Sequence, residues 1–165
     1  PVRFIGNFST GKMGVAVADA LAAMGARVSL ILGPSNEKAA HTNVSTVHVK
    51  SAQEMYDACL SAFGNCDIAV LSAAVADYRP ATESRQKIKK QEDTFNLELI
   101  RNNDILAALG KIKRPGQTLV GFALETEHEL EHAQKKVLEK QADMIVLKAL
   151  KGQGAGYGPE TKKLT

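Results

Sequence analysis

The sequence contains no tryptophan, and aromatic residues make up only 5% of its 165 positions. Its net charge is only +3, and its basic residues do not form a stripe interleaved with aromatic side chains. Proteins that bind nucleic acid usually combine a basic stripe with rings on which bases stack. We therefore expect no nucleic acid as a partner.

Cysteines and long apolar runs are also scarce. The spacing of the two cysteines, Cys59 and Cys66, suits no common zinc site, and such a site needs four ligands. We interpret them as reduced thiols of a cytosolic protein. No apolar run approaches the roughly 18 residues of a membrane span. Because no signal peptide is recognisable either, we expect a cytoplasmic protein that does not bind a membrane.

The remaining composition, with 44% apolar and 24% charged residues, is typical of a globular domain with a sizeable core. Helical and strand-like patterns alternate along the chain. Helices are predicted over 15–24, 51–63, 104–111 and 127–141, and strands over 27–32, 44–49, 67–74, 95–100, 118–124 and 143–147. Loops are expected over 77–94 and 148–165. This order predicts an α/β fold, a Rossmann-like three-layer sandwich with a mostly parallel sheet.

Residues 6–14, Gly-Asn-Phe-Ser-Thr-Gly-Lys-Met-Gly, form a turn of small residues that opens into a helix. Backbone N–H groups at a helix start favour anions, so Ser9, Gly11 and Lys12 are candidates for a phosphate cradle. The match to a P-loop fails at Met13, where magnesium binding requires a hydroxyl. The dinucleotide-binding glycine pattern is incomplete as well. The alternative is that the glycines only allow close packing of the helix on a strand.

Asn7 stands just before this predicted helix. Its side-chain amide could cap the helix, or it could donate a hydrogen bond to a developing oxyanion. The spacing alone favours the cap.

Ligands of parallel α/β sheets bind beyond the carboxyl ends of the strands. This rule points to residues 72–77, 101–104, 122–126 and 148 onward, together with the glycine-containing turn. The small residues that begin at Ala73 would let a flat ring approach the backbone. Asp77 could hold Mg²⁺ or a ribose hydroxyl, although an aspartate after a strand is often only a turn residue.

Two groups of lysines have alternative interpretations. Lys87 begins a basic run in a long predicted loop, where it could belong to a lid over phosphates, although composition favours a solvated run. Lys136 and Lys140 are four residues apart and share a helix face. The spacing alone favours ion pairs between these lysines and neighbouring glutamates, and binding of a polyphosphate is the alternative role.

Five motifs occur in a collinear order over nearly the whole chain. They are Pro-Val-Arg-Phe-Ile-Gly-Asn-x-Ser-x-Gly-Lys-Met-Gly at 1–14, Ala-Ala-Val-Ala-Asp-Tyr-Arg at 73–79, Lys-Ile-Lys-Lys at 87–90, Asn-x-Asp-Ile-Leu at 102–106 and Val-Gly-Phe-Ala-x-Glu-Thr at 120–126. Together they resemble bacterial phosphopantothenoylcysteine synthetase, often the carboxy-terminal half of a bifunctional coenzyme A biosynthesis protein. The resemblance implies a ligase that joins 4′-phosphopantothenate to L-cysteine through an acyl-cytidylate. CTP and Mg²⁺ are the expected nucleotide and metal.

The resemblance also implies roles for individual residues. Asn7 resembles the catalytic asparagine, and Lys87 resembles a catalytic lysine of a mobile flap that also binds the nucleotide. Asp77 is similar to the carboxylate that binds nucleotide and metal. The remaining implied nucleotide-binding residues are Ser72, Ala73, Asn103, Asp104, Ile105, Leu106, Phe122, Lys136 and Lys140.

The chain departs from the family pattern at several positions. Asn103 replaces a usual proline, and Lys148 replaces a usual asparagine, so we assign Lys148 no role. The family's first strand and final strands are expected to be missing from this single ligase domain at 1–165. The resemblance further implies a homodimer, and a flavin-dependent decarboxylase domain is a fusion partner in such proteins. The remaining alternatives are an NAD(P)-binding Rossmann-type reductase and a non-catalytic nucleotide-binding module.

Overall fold

The computed structural model describes residues 4–84, 86, 94–125 and 129–149. This part of the chain contains four helices and seven strands. The helices are α1 (Lys12–Ala23), α2 (Ala52–Phe63), α3 (Ile105–Ile112) and α4 (Glu129–Lys140). The strands are β1 (Val28–Leu32), β2 (Val44–His48), β3 (Ile68–Leu71), β4 (Tyr78–Pro80), β5 (Leu99–Arg101), β6 (Thr118–Glu125) and β7 (Met144–Ala149).

Two helix ends carry residues that are typical of helix termini. Ser51 caps α2 by accepting a hydrogen bond of 3.1 Å from the Glu54 amide. The Glu54 carboxylate reaches back to the amide of Lys50 at 2.7 Å, one residue earlier than in a standard capping box. Gly25 follows α1 with a φ of 96°, a conformation that glycine adopts at little cost.

Within the described residues, the strands form three sheets. β1 pairs with β2 in parallel, and β6 lies between β3 and β7, parallel to both. β4 and β5 form an antiparallel pair with Tyr78 beside Arg101. The mostly parallel arrangement is therefore confirmed, but the parallel strands lie in two sheets rather than in one. β1 and β3 each have a strand partner on one side only among these residues.

Strand boundaries differ from prediction where long-range pairing decides them. A loop is predicted over 77–94, but Tyr78–Pro80 forms β4 because its backbone pairs with β5 about twenty residues away in sequence. β5 begins at Leu99 rather than at residue 95. β7 continues to Ala149 because β6 extends far enough to pair with it. The predicted tail from residue 150 onward lies outside the described residues.

The main hydrophobic core lies where α2 and α3 pack on the parallel strands. Leu119 in the central strand β6 is fully buried, and Phe63 and Leu109 are each 2% exposed. α2 contacts α3 and α3 contacts α4, whereas α1 packs on β1 and β2. α1 therefore lies in a different group of contacts from α2, α3 and α4. Such a separation is typical of folds that have helices on both faces of the sheet.

Gly110 sets the spacing of α3 and α4. A Cβ atom at Gly110 would overlap the backbone carbonyl of Lys140 at the end of α4. The two helices can approach this closely only because the position lacks a side chain. None of the helices that the structure describes is long and apolar enough to span a membrane.

Candidate functional site

A single cleft brings most of the predicted site residues together. Its volume is about 3460 Å³, well above the roughly 300–1,000 Å³ of a typical ligand site. The lining also includes all residues of β1 and β3, each of which has a strand partner on one side only in the described chain. The predicted residues that line it are Asn7, Ser9, Gly11, Ser72, Ala73, Asp77, Asn103, Asp104, Ile105, Leu106, Phe122, Lys136 and Lys140. Lys12 is exposed and is not part of this lining, and Lys87 lies outside the described residues.

The glycine-containing loop at residues 6–11 is anchored to the chain that follows β1. The Ser35 hydroxyl donates a hydrogen bond of 2.7 Å to the Thr10 carbonyl. Gly11 has a φ of +82°, and a Cβ atom there would lie 2.8 Å from Ser35 Oγ. Glycine is therefore required at this position both for the backbone conformation and for the close approach.

Helix α1 begins beside the loop after β3. Its N-cap residue, Gly11, provides no side-chain hydrogen bond, and the amides of Met13 and Gly14 have no partner among the described residues. A Cβ atom at Gly14 would lie 3.1 Å from Ser72 Oγ, so α1 packs closely against the end of β3. Close packing and free amide donors thus coexist here, and anion binding at the helix start stays a prediction.

Asn7 does not cap α1, so the interpretation favoured by spacing is wrong. Gly11, four residues later, occupies the N-cap position. The Asn7 side chain instead donates through Nδ2 to the carbonyl of Val75 at 3.1 Å. An asparagine amide has two N–H donors and one acceptor. One N–H fixes the orientation of the group, and the structure shows no partner for the other among the described residues.

Three successive carbonyls after β3 accept hydrogen bonds from other parts of the chain. The Val75 carbonyl accepts from Asn7, as described above. The Ala76 carbonyl accepts from Asn102 Nδ2 at 2.7 Å, and the Asp77 carbonyl accepts from the Asn102 amide at 2.8 Å. The path of this segment is therefore set by contacts from outside it, and these contacts place Asp77 at the cleft.

Asp104 and Lys140 form an ion pair between α3 and α4. The carboxylate caps α3 by accepting from the Ala107 amide at 2.9 Å, and it accepts from Lys140 Nζ at 2.7 Å. Burial raises the pKa of the Asp104 carboxyl, but the hydrogen bonds from Ala107 and Lys140 outweigh it and hold the pKa below its usual value. The spacing predicts ion pairs within α4, whereas this pair joins two helices. It forms because α3 and α4 cross closely at Gly110.

The other predicted nucleotide-binding positions on α3 and β6 differ in exposure. The Ile105 side chain is 7% exposed and belongs to the core. Leu106 packs on β6, where a Cβ atom at Gly121 would lie 2.7 Å from its Cδ2. A nucleotide would therefore meet this turn mainly through its backbone. Phe122 and Lys136 are half-buried at the cleft.

Asp77 is the carboxylate that best fits a substrate-bound metal. Its side chain is exposed and has no hydrogen bond or ion pair to another described residue. The described residues contain no group of three or more His, Cys, Asp or Glu side chains that could hold a metal alone. Mg²⁺ in nucleotide sites keeps several waters and binds one or two carboxylates together with phosphates. A single available carboxylate fits that mode of binding.

Sequence reasoning missed Asn102, Arg79 and Ser35. Asn102 and Arg79 lie inside two of the five motifs, but the sequence predicts roles only for the nearby residues Asn103 and Asp77. Asn103 makes only a long contact of 3.5 Å from Nδ2 to Gln53. The position of Asn102 directly after a strand was the available signal, and its partners became visible only in the folded chain.

A sequence model of the family described as DNA/pantothenate metabolism flavoprotein C-terminal domain matches residues 1–165. The chain belongs to this family. The family membership inferred from the five motifs is thereby confirmed.

Relatives within this family include longer enzymes. The chain is 50% identical over 165 residues to a protein named cysteine/cysteine sulfinic acid decarboxylase, from an unknown prokaryotic organism, and covers 46% of it. It is 45% identical over 165 residues to the coenzyme A biosynthesis bifunctional protein CoaBC of Bacillus subtilis strain 168, and covers 40% of it. The chain thus spans less than half of the length of these two relatives.

A solved structure supports the fold of this family member. The crystal structure of the C-terminal domain of a CoaBC protein matches with a TM-score of 0.76 and 42% identity. The match covers 90% of this chain and 68% of that one. It confirms the predicted α/β class. By contrast, the dinucleotide-binding alternative requires an acidic residue after β1 for the adenosine ribose, and Gly33, Pro34 and Ser35 follow there.

Proposed function

We propose that this chain is a ligase domain of coenzyme A biosynthesis that joins 4′-phosphopantothenate to L-cysteine at the expense of CTP. The observation that carries the proposal is the convergence of the α1 start, Asn7, Asp77 and the α4 lysines on one cleft. The similarity to CoaBC proteins supports the pathway. The motif resemblance supports the specific reaction.

The reaction proceeds in two steps in which the substrates supply both nucleophiles. The carboxylate of 4′-phosphopantothenate attacks the α-phosphorus of CTP, and the bond to pyrophosphate breaks. The amine of cysteine then attacks the acyl carbon of the cytidylate, loses a proton and expels CMP. The protein therefore needs no nucleophilic side chain. It must align the substrates and neutralise developing charge.

Charge on the triphosphate would be met from two sides of the cleft. The free amides at the start of α1, with Ser9 and Gly11 beside them, form one side, and Lys136 and Lys140 form the other. Asp77 would hold Mg²⁺, which would supply further charge neutralisation on the phosphates. Ser72 and Ala73 would read the base, and the turn from Asn103 to Leu106 with Phe122 would line its pocket. Lys87 and Lys12 remain candidates from sequence alone.

Asn7 would act as a donor that does not titrate. Its contact with the Val75 carbonyl fixes which end of the amide is the nitrogen. The second N–H is then available to the carbonyl oxygen of the acyl group, where negative charge develops when the amine attacks in the second step. Donating one N–H to Val75 and the other to the acyl oxygen requires a side-chain amide, because a carboxylate has no N–H donor.

Pyrophosphate release tests the proposal. The full-length protein is assayed with 4′-phosphopantothenate, Mg²⁺ and either CTP or ATP, with and without cysteine. We expect release only with CTP and phosphopantothenate, and ligated product only after cysteine is added. A folded protein that binds CTP but releases no pyrophosphate would instead be a binding module.

The name of the 50% identical relative suggests one further control. That protein is named a decarboxylase, and this chain covers 46% of it. The same preparation should therefore be assayed for CO₂ release from cysteine. Sedimentation of that preparation would also test the homodimer, which stays a prediction.

A further inference from the structure

Asn102 connects the end of β5 to the segment that carries Asp77. Its backbone N–H donates to the Asp77 carbonyl at 2.8 Å, and its Nδ2 donates to the Ala76 carbonyl at 2.7 Å. Both contacts are short, and the side chain is half-buried. One residue therefore holds two consecutive carbonyls next to the candidate metal carboxylate.

Arg79 fixes the orientation of the Asn102 side chain. Its guanidinium NH1 donates to Asn102 Oδ1 at 3.0 Å and to the Arg101 carbonyl at 2.9 Å. Because Oδ1 accepts from Arg79, the amide nitrogen must face Ala76. The side-chain amide of Asn102 thus accepts a hydrogen bond from Arg79 in β4 through its oxygen and donates one to the Asp77 segment through its nitrogen. These contacts link β4, the end of β5 and the Asp77 segment.

We propose that Asn102 and Arg79 are positioning residues that set the place of Asp77 for a metal-bound nucleoside triphosphate. The inference rests on the proposed function, and it gives a role to two motif residues to which the sequence assigned none. Asp77 has no other described side-chain contact to hold it, so its location depends on its backbone. Two carbonyl contacts from Asn102 help to hold that backbone, together with the contact from Asn7 to Val75 and the β4–β5 pairing that begins at Tyr78.

The energetic scale makes the effect measurable. Removal of the half-buried Asn102 side chain leaves the Ala76 carbonyl without its hydrogen-bond partner, which corresponds to a loss of about 10-fold in an equilibrium constant. The backbone contact from Asn102 to Asp77 is retained when Asn102 is replaced by alanine. The segment therefore stays attached to β5 while its geometry loosens, so folding should persist.

The experiment uses Asn102→Ala, with Arg79→Lys as a second variant that keeps the charge but loses the planar fork. Asn43→Ala is the matched control, because Asn43 is an exposed asparagine before β2, outside the cleft lining. Calorimetry measures the Kd for CTP with and without Mg²⁺, and steady-state assays of the full-length protein separate KM from kcat.

We expect Asn102→Ala to raise Kd and KM for CTP about 10-fold when Mg²⁺ is present, with a smaller effect in its absence. Arg79→Lys should act in the same direction and more weakly. KM for cysteine should match that of Asn43→Ala, and the thermal midpoint should fall by only a few degrees, because one half-buried side chain loses its hydrogen bonds. A merely structural role would lower the folded fraction and kcat without changing KM for CTP.

A double-mutant cycle shows whether the effect runs through Asp77. In an Asp77→Asn background, Asn102→Ala should add little to the Kd for CTP with Mg²⁺. Additive losses, or an unchanged Kd in the single variant, would overturn the inference. If the wild-type protein binds CTP with Mg²⁺ but makes no product, the proposed ligase function is wrong. The double-mutant cycle measured on Kd for CTP still decides the role of Asn102 in that case.

Discussion

The two walls of the cleft hold their functional groups in different ways. The loop wall, residues 72–79, consists largely of exposed or half-buried residues, and hydrogen bonds from Asn7 and Asn102 hold its carbonyls. The helical wall, formed by α3 and α4, rests on Leu109, which is 2% exposed, and on the close contact at Gly110. The loop wall can therefore change activity with little loss of stability, whereas the helical wall is part of the core.

Asn7→Ala should give the largest effect and should act on the loop wall alone. Loss of a donor aimed at a developing oxyanion reduces kcat by about 100-fold or more. The hydrogen bond to Val75 is exposed, so its loss should cost only about 1 kcal/mol of stability. Formation of ligated product in the presence of cysteine, CTP binding and thermal unfolding of the same preparation separate these effects.

Asn43→Ala again serves as the matched control for Asn7→Ala and should leave turnover unchanged. If the Asn7 variant lost turnover only in proportion to its loss of folded protein, the catalytic assignment of Asn7 would be wrong. If CTP binding disappeared along with turnover, Asn7 would be a binding residue.

Gly110→Ala should push α3 and α4 apart and destabilise the helical wall. The added Cβ would overlap the Lys140 carbonyl, so α3 and α4 must separate, at a cost of about 1–3 kcal/mol in the free energy of unfolding. Gly64→Ala is the control, because Gly64 has a φ of −57° and open space around its Cβ position. Urea unfolding measures both variants. Equal midpoints for the two would contradict the close helix crossing.

Asp104→Asn should have the smallest effect and a distinctive pH dependence. Asparagine caps a helix about as well as aspartate, so the substitution mainly removes the charge paired with Lys140, worth up to about 1 kcal/mol. The folded-state pKa of Asp104 lies below its usual value. The stabilisation that the Asp104 carboxylate provides is therefore fully present above the pKa of the unfolded state. It is lost as the pH falls through the lower pKa of the folded state.

The measurement is the difference in unfolding free energy between wild type and Asp104→Asn. It should be constant near neutral pH and shrink as pH drops below about 4. Lys140→Met should abolish most of the difference in a double-mutant cycle. A difference that persists unchanged at low pH would show that the charge of Asp104 is not its source.

Local elements of the fold could be predicted from sequence with good accuracy. The Ser51 cap and the Gly25 terminus follow from the side-chain and backbone preferences of single residues. Strand β4 was missed because three residues in a polar segment carry no periodic signal. It exists only because β5 supplies the hydrogen-bond partners.

The candidate site was predicted as a set of segments rather than as a set of contacts. Most of the predicted residues line the cleft, because the carboxyl ends of parallel strands meet at one edge. Within those segments, however, the sequence did not show which polar groups make contact. Asn102, which had no predicted role, holds the Asp77 segment, and Asn7 binds Val75 instead of capping α1.

The helices, most strands, the α/β class and the family follow from the sequence alone, because each is encoded in local preferences or in motifs of fixed spacing. Which polar groups meet depends on the tertiary structure. Asn7 and Val75 are 68 positions apart, and Asp104 and Lys140 are 36 apart. Such pairs depend on strand order and on the closeness of a helix crossing. Those properties arise from packing of the whole chain, and no single segment contains them.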